Sequence, residues 1–300
     1  MITTPPYLKP GDLIGITATA HRIEEEDLYL AIKIIESRGY KILFSPNLFE
    51  KENQYAGNDR KRTEDFQHLL DHPNVKAILC ARGGYGSVRI IDQIDLSSLS
   101  KNPKWICGYS DVTVFHTHLH QNQQFATIHS TMPISVKQDT AANLYSLLQA
   151  LEGETLQYTT DAHPLNRNGK AQGELIGGNL SILYSVLGSK SDINTDGKIL
   201  FIEDLDEYLY HIDRMMMNLK RNGKLRNLAG LIVGGMSDMH DNKVPYGKTA
   251  EEIVAEHVAE FDYPVCYNFP AGHTPDNRAL RFGQTAMLTI DGQTELIIPA

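Results

Sequence analysis

Lys104-Trp105-Ile106-Cys107-Gly108-Tyr109-Ser110-Asp111-Val112-Thr113-Val114-Phe115 reads as a short apolar strand, a turn and the start of a helix. A serine between a strand and a helix stands on a sharp turn. Its hydroxyl projects there and the next backbone N–H lies close by, which is how a nucleophilic serine is presented for acyl transfer. The G-x-S-x-G pattern requires glycine at position 112, where this chain has Val112, so the segment by itself also fits an ordinary turn serine. What separates the two readings is a base and an orienting acid elsewhere in the chain.

Outward from this turn, the first half alternates strands and helices. Leu13-Ile14-Gly15-Ile16 is a strand after the turn Lys9-Pro10-Gly11-Asp12. Residues 24–38 carry Leu28, Ala31, Ile32 and Ile35 at helical spacing before Gly39. Lys41 to Phe44, Val75 to Cys80 and Lys104 to Cys107 are further strands, and Thr63 to Leu70 a further helix. This rhythm predicts a parallel sheet with helices on both faces, and such sheets bind ligands beyond the carboxyl ends of their strands. Both Gly83-Gly84-Tyr85-Gly86 and the Ser110 turn follow strand ends and are expected to share one crevice. From Tyr158 the chain turns polar and irregular. The expected division is residues 1–157 as an α/β domain bearing Ser110, 158–169 as a linker, and 170–300 as a smaller α+β domain with a strongly bent sheet or barrel.

A length of 300 residues suits about two domains, and 41% hydrophobic with 22% charged residues are values of a soluble globular chain. The net charge of −9 and the absence of a basic stripe argue against nucleic-acid binding. Met1-Ile2-Thr3-Thr4-Pro5-Pro6 does not read as a secretory signal, and no apolar run approaches the roughly 18–20 residues that span a bilayer. Cys80, Cys107 and Cys266 lack C-x-x-C spacing and read as reduced core thiols. The cytoplasm is the expected compartment.

Three segments carry further chemistry. Gly83-Gly84-Tyr85-Gly86 has neither nucleotide-binding glycine spacing, so it reads either as a positive-φ turn or as a loop whose bare backbone approaches an oxyanion. Phe201-Ile202-Glu203-Asp204 ends a strand with two carboxylates. Asp204 suits a helix N-cap, and Glu203, continuing the apolar run, needs a partner such as a histidine N–H. Gly272-His273-Thr274-Pro275 directs one imidazole rigidly, although a surface histidine is also compatible. His116 and His120 share a helix face that suits a metal, but no third ligand stands at a suitable spacing. Ser110, Glu203 and His273 together supply a nucleophile, an orienting acid and a base.

The chain resembles the LD-carboxypeptidase family of serine peptidases, which includes muramoyltetrapeptide carboxypeptidases and microcin-immunity proteins. The likeness runs from Lys9-Pro10-Gly11-Asp12 to Leu280-Arg281-Phe282-Gly283. It is carried by Arg82-Gly83-Gly84-Tyr85-Gly86, Pro103-Lys104-Trp105, Gly108-Tyr109-Ser110-Asp111, Gly177-Gly178-Asn179-Leu180, Glu203-Asp204 and Gly272-His273. Ala18-Thr19-Ala20 and Ser130-Thr131-Met132 depart from the family pattern, where Pro-Ser and Gly-Pro-Met are common. The resemblance implies a flavodoxin-like N-terminal domain, a small β-barrel-like C-terminal domain and a homodimer. It also implies Ser110 as nucleophile, His273 as base, Glu203 as its partner, and the backbone N–H groups of Gly84 and Asp111 as the oxyanion hole. The implied substrate is a murein tetrapeptide cut before its terminal D-alanine, in cell-wall recycling, with no cofactor or metal. Two alternatives stand beside it. One is an immunity-type peptidase acting on a peptidyl- or aminoacyl-nucleotide, for which the stretch between Ser110 and Glu203 offers Tyr145, Tyr158 and Tyr184 but no tryptophan. The other is a non-catalytic binding module.

Overall fold

The computed structural model describes residues 2–137 and 140–300. In the first half, β1 (Leu13–Thr17), α1 (Tyr29–Ser37), β2 (Lys41–Phe44), α2 (Asp59–Asp71), β3 (Val75–Cys80) and the single turn α3 (Ser87–Ile90) come first. They are followed by β4 (Trp105–Gly108), α4 (Thr113–Gln123), β5 (Thr127–His129) and α5 (Ala141–Glu152). The strands β2, β1, β3, β4 and β5 are adjacent in that order and all parallel. Apart from the edge strand β2, their residues are buried almost without interruption, as a sheet covered on both faces requires.

Helix boundaries differ from the sequence reading in two places. The expected helix over 24–38 opens as a 3-10 turn, Glu25–Leu28, because Glu24 and Asp27 cap each other's backbone reciprocally. Helix α2 begins four residues earlier than expected, where the Asn58 side chain accepts from Lys61 N at 3.0 Å. Its first turns point polar Arg62 and Asp65 inward, so apolar periodicity does not mark them.

The second half contains β6 (Leu156–Thr160), β7 (Gly169–Asn179), α6 (Leu180–Ser185), β8 (Ile199–Leu205), α7 (Leu209–Arg221), β9 (Gly230–Ser237) and α8 (Ala250–His257). It ends with β10 (Val265–Cys266), β11 (Leu280–Phe282), β12 (Thr285–Asp291) and β13 (Gln293–Ile298). Seven of these strands form a mixed sheet in the order β10-β9-β8-β7-β12-β13-β6. It is parallel from β10 to β7 and antiparallel from β7 to β6. Among the described residues β10 and β6 do not pair, so the sheet stays open. Tyr158 to Thr160, expected within the irregular linker, close β6, where Tyr158 pairs with Leu296.

The two halves exchange strands. β6 precedes the polar segment yet edges the second sheet, whereas β11 runs antiparallel to β5 and edges the first. Arg281 on β11 is fully buried where they meet. Its Nη2 donates to the carbonyls of Glu154, Ile298 and Pro299 at 2.7, 3.0 and 3.0 Å, and its guanidinium lies over the Tyr7 ring. Replacing Arg281 by Met keeps much of the volume but leaves those buried carbonyls without donors. The expected cost is about 2–4 kcal/mol. Thermal unfolding checks it: an unchanged Tm contradicts a clamping role for Arg281.

Candidate active site

At the carboxyl end of β4 the chain turns sharply. Ser110 has φ +62°, a left-handed conformation uncommon for serine, and starts the 3-10 turn Ser110–Val112 that leads into α4. Gly108 makes room for this: a Cβ there would lie 2.8 Å from Val112 Cγ2. The Gly108 carbonyl accepts from His116 Nε2 at 2.9 Å, which fixes Nε2 as the protonated nitrogen and leaves Nδ1 to accept from the Thr127 hydroxyl at 2.8 Å. His120 Nε2 pairs with Glu174. The His116/His120 face therefore serves the fold, and no cluster suited to a metal occurs among the described residues.

The glycine loop after β3 lies against this turn. A Cβ on Gly83 would sit 3.2 Å from Ser110 Oγ. Gly84 has φ +115°, and any side chain on it would run into the His21 ring. Two buried groups hold the loop from behind. Asp111 Oδ2 accepts from Ser87 N at 2.8 Å, tying loop to elbow. Arg62 Nη1 donates to the carbonyls of Thr19 (2.6 Å) and Gly86 (3.1 Å). Burial, the largest influence, raises the Asp111 carboxyl above its usual range, against the Ser87 hydroxyl and N–H that favour the charge.

The expected acid and base, Glu203 and His273, come from the other half. Glu203 lies on β8 with no solvent exposure, and its Oε2 accepts from His273 Nδ1 at 2.6 Å and from His273 N at 3.1 Å. Nδ1 thus carries the proton, and Nε2 is the nitrogen with a lone pair. Gly272 allows this approach: its φ is +96°, and a Cβ would meet Glu203 Oε2 at 2.6 Å. The Gly272 N–H donates to Asn277 Oδ1 at 2.9 Å, the Ser237 hydroxyl donates to the His273 carbonyl, and the Tyr109 ring packs 4.7 Å from the imidazole. Burial, the largest influence on His273, disfavours its charged form. The Glu203 hydrogen bond and charge, with a contribution from Asp204, outweigh it, so the pKa lies above its ordinary 6.5.

Asp204 does not cap the helix that follows it. Its Oδ1 accepts from Asn179 Nδ2 and Leu205 N, and its Oδ2 from Ser181 N, each at 2.9 Å, so it braces the start of α6. Burial first, then the Glu203 charge, push its pKa up to about 7. Gly177 and Gly178, at φ +134° and +140°, let β7 press against Phe201 and Thr113, and Asn179 N donates to Thr113 Oγ1 at 3.0 Å. This contact joins the acid-bearing sheet directly to the helix behind Ser110.

Ser110 and His273 line one open pocket of about 700 Å³, together with Gly83, Gly84, Tyr109 and Met132. Further lining comes from His21, Arg82, Ile134, Ser135, Lys137, Thr140, Leu205 and Pro275. Tyr145, Tyr158 and Tyr184 are not among these residues. Sequence reasoning missed the supporting groups Arg62, Asn277 and Ser237. Nothing marks Arg62 within Asp59-Arg60-Lys61-Arg62, which looks like a solvated face. Cys80, Cys107 and Cys266 are all buried and free.

Models of the LD-carboxypeptidase N-terminal and C-terminal domains match residues 14–130 and 172–288. A probable murein peptide carboxypeptidase of Bacillus subtilis is 36% identical over 98% of this chain and 93% of its own. The crystal structure of a muramoyltetrapeptide carboxypeptidase from Oxalobacter formigenes superposes with a TM-score of 0.87 at 26% identity, covering 96% of this chain and 99% of that one. An apo microcin C7 self-immunity protein has a TM-score of 0.88 at 20% identity, with coverage of 100% and 98%, a likeness of fold.

The Gly272 geometry makes a direct prediction. Gly272→Ala combines a disfavoured φ with a clash against a buried carboxylate, so the His273–Glu203 pair must separate or the loop must shift. Peptidase activity should fall by about 10² or more, as expected when a base is misplaced by an ångström, while the Tm changes by only a few degrees. Activity within threefold of the parent contradicts this account of the loop.

Proposed function

The chain belongs to the LD-carboxypeptidase family and is a hydrolase of the serine carboxypeptidase class; on that premise we propose that it cleaves murein tetrapeptides between the L-centre of the diamino acid and the terminal D-alanine. What carries this reading is that Ser110, on its left-handed turn, and His273, held by buried Glu203, line the same pocket.

In the proposed reaction, Ser110 Oγ attacks the scissile carbonyl and His273 Nε2 takes its proton. The oxyanion that forms is met by the N–H groups of Gly84 and Asp111, on the two segments that Asp111 Oδ2 ties together. The C–N bond then breaks, His273 returns the proton to the D-alanine amine, and an acyl ester remains on Ser110. Water, deprotonated by His273, hydrolyses that ester and restores the serine. Glu203 keeps Nδ1 protonated and stabilises the imidazolium.

The division into a domain over 1–157 bearing Ser110 and one over 170–300 bearing the acid and base belongs to the same proposal, supported by the source of each residue. Three buried free thiols support a cytoplasmic setting in murein recycling. No helix among the described residues is long and apolar enough to cross a membrane. Exposed Tyr208, Tyr210 and Met217, on and beside α7, support the homodimer. The nucleotide-directed alternative is supported only by family kinship with microcin self-immunity proteins, and it is mildly disfavoured because none of the three candidate tyrosines is among the described residues that line the pocket.

Three outcomes test the reading. Ser110→Ala should fold and lose about 10³-fold or more in kcat on a murein tetrapeptide; turnover within tenfold of the parent discards it. Chelation should leave activity unchanged, since the ring nitrogens of His116 are held by Gly108 and Thr127 and His120 pairs with Glu174. Activity lost to a chelator and restored by zinc contradicts this.

The third outcome is pH dependence. His273 works as a base only when neutral, and its pKa lies above 6.5, so kcat/KM should rise with pH along an acid limb above that value. In Glu203→Gln the charge that raises the pKa is gone while burial persists, so the limb should move to lower pH. The kcat should fall and KM change little. A variant keeping the parental kcat and limb removes Glu203 from the mechanism.

A further inference from the structure

The protein carries a net charge of −9, yet none of the residues described as lining the Ser110 pocket is acidic. Glu203 stands behind His273 with no solvent exposure. Beyond His273, the ionisable nitrogen side chains on the wall are His21, Arg82 and Lys137. The described wall of the pocket is therefore locally cationic in an acidic molecule, an arrangement that favours an anionic group next to Ser110.

Arg82 is tied into this wall through the backbone. It immediately precedes the Gly83-Gly84 backbone that abuts Ser110, and its Nη1 donates to the Arg22 carbonyl at 2.9 Å. Among the described residues this is the one hydrogen bond its side chain makes, which leaves the other guanidinium N–H groups to present the planar fork that matches a carboxylate. The His21 ring lies over Gly84 on the same side. Burial, and then the Arg82 charge, lower the His21 pKa, so at neutral pH Arg82 alone charges this part of the wall. The substrate class fits. A terminal D-alanine carries its carboxylate two bonds from the leaving nitrogen, so the group that reads it must share the pocket of Ser110 and His273.

We propose that Arg82 is the specificity-determining residue that binds the free terminal carboxylate of the substrate, restricting hydrolysis to the last residue of a peptide. This rests on the carboxypeptidase reading above.

The test compares two peptides in each protein: a murein tetrapeptide ending in D-alanine and the same peptide ending in D-alaninamide. The acid-to-amide ratio of kcat/KM is internal to each preparation, so a fraction of misfolded variant cancels. The parent should prefer the acid by about tenfold or more, the scale of a charge-assisted pair. In Arg82→Gln that ratio should fall to within about threefold of one, with the loss on the acid appearing in KM rather than kcat. Arg82→Lys, which keeps the charge without the fork, should retain an intermediate ratio. A parental ratio in Arg82→Gln overturns the assignment, as does a ratio that collapses in Lys137→Gln instead. A parent that cleaves both peptides equally overturns the carboxylate subsite alone. A parent that cleaves neither overturns the murein-tetrapeptide reading on which it rests.

Discussion

A carboxylate without access to water dictates most of the architecture around Ser110. Glu203 sits at the end of β8 with zero exposure, and an isolated charge there would cost several kcal/mol. Two N–H donors from one residue, His273, answer that demand at Oε2, one from the ring and one from the backbone. Serving both requires the chain before His273 to pass closer to Glu203 than any side chain permits, hence Gly272. Asn277 and Ser237 then hold the loop in that path. The His273 ring is thus oriented by the Glu203 carboxylate's need for donors as much as the carboxylate is oriented by the ring.

Two neighbouring carboxylates do different work because a strand alternates. Successive residues of β8 point to opposite faces, so Glu203 meets the His273 loop while Asp204 meets the start of α6. Asp204 accepts N–H donors at both oxygens and Glu203 at Oε2 alone, its Oε1 having no partner among the described residues, and their mutual repulsion, added to burial, raises Asp204. The same principle of filling donor and acceptor needs explains the elbow. Asp111 contributes its backbone to the turn and its side chain to Ser87, so the serine turn and the glycine loop cannot shift independently. The strain of Ser110 at φ +62° is sustained by that framework, with Gly108 and the His116 hydrogen bond beneath it.

The two halves are not separate blocks set side by side. β6 and β11 cross between sheets, Arg281 binds carbonyls from both sides of the exchange, and Gly177-Gly178 lets β7 touch Thr113. The proposed site, drawn from both halves, needs this rigidity, since the proposed nucleophile and base lie 163 positions apart in the chain (273 − 110) and must keep their separation to a fraction of an ångström.

Much of this was legible in the sequence, for physical reasons. Buried parallel strands must be continuous apolar runs, so β3 and β4 declare themselves. Their carboxyl ends mark where a ligand binds, which singles out Gly83-Gly84 and Ser110 before any coordinates. The ordered Ser110, Glu203 and His273 segments carry the family likeness because backbone geometry there tolerates few residue types. Composition and periodicity do not report the partners of buried polar groups. Arg62 on a charged helix turn, Asp204 bracing α6 rather than α7, and the sheet to which Tyr158–Thr160 belongs were decided by tertiary contacts. A hydrogen bond between residues dozens of positions apart leaves no local pattern in the chain, and only the folded path brings its donor and acceptor together.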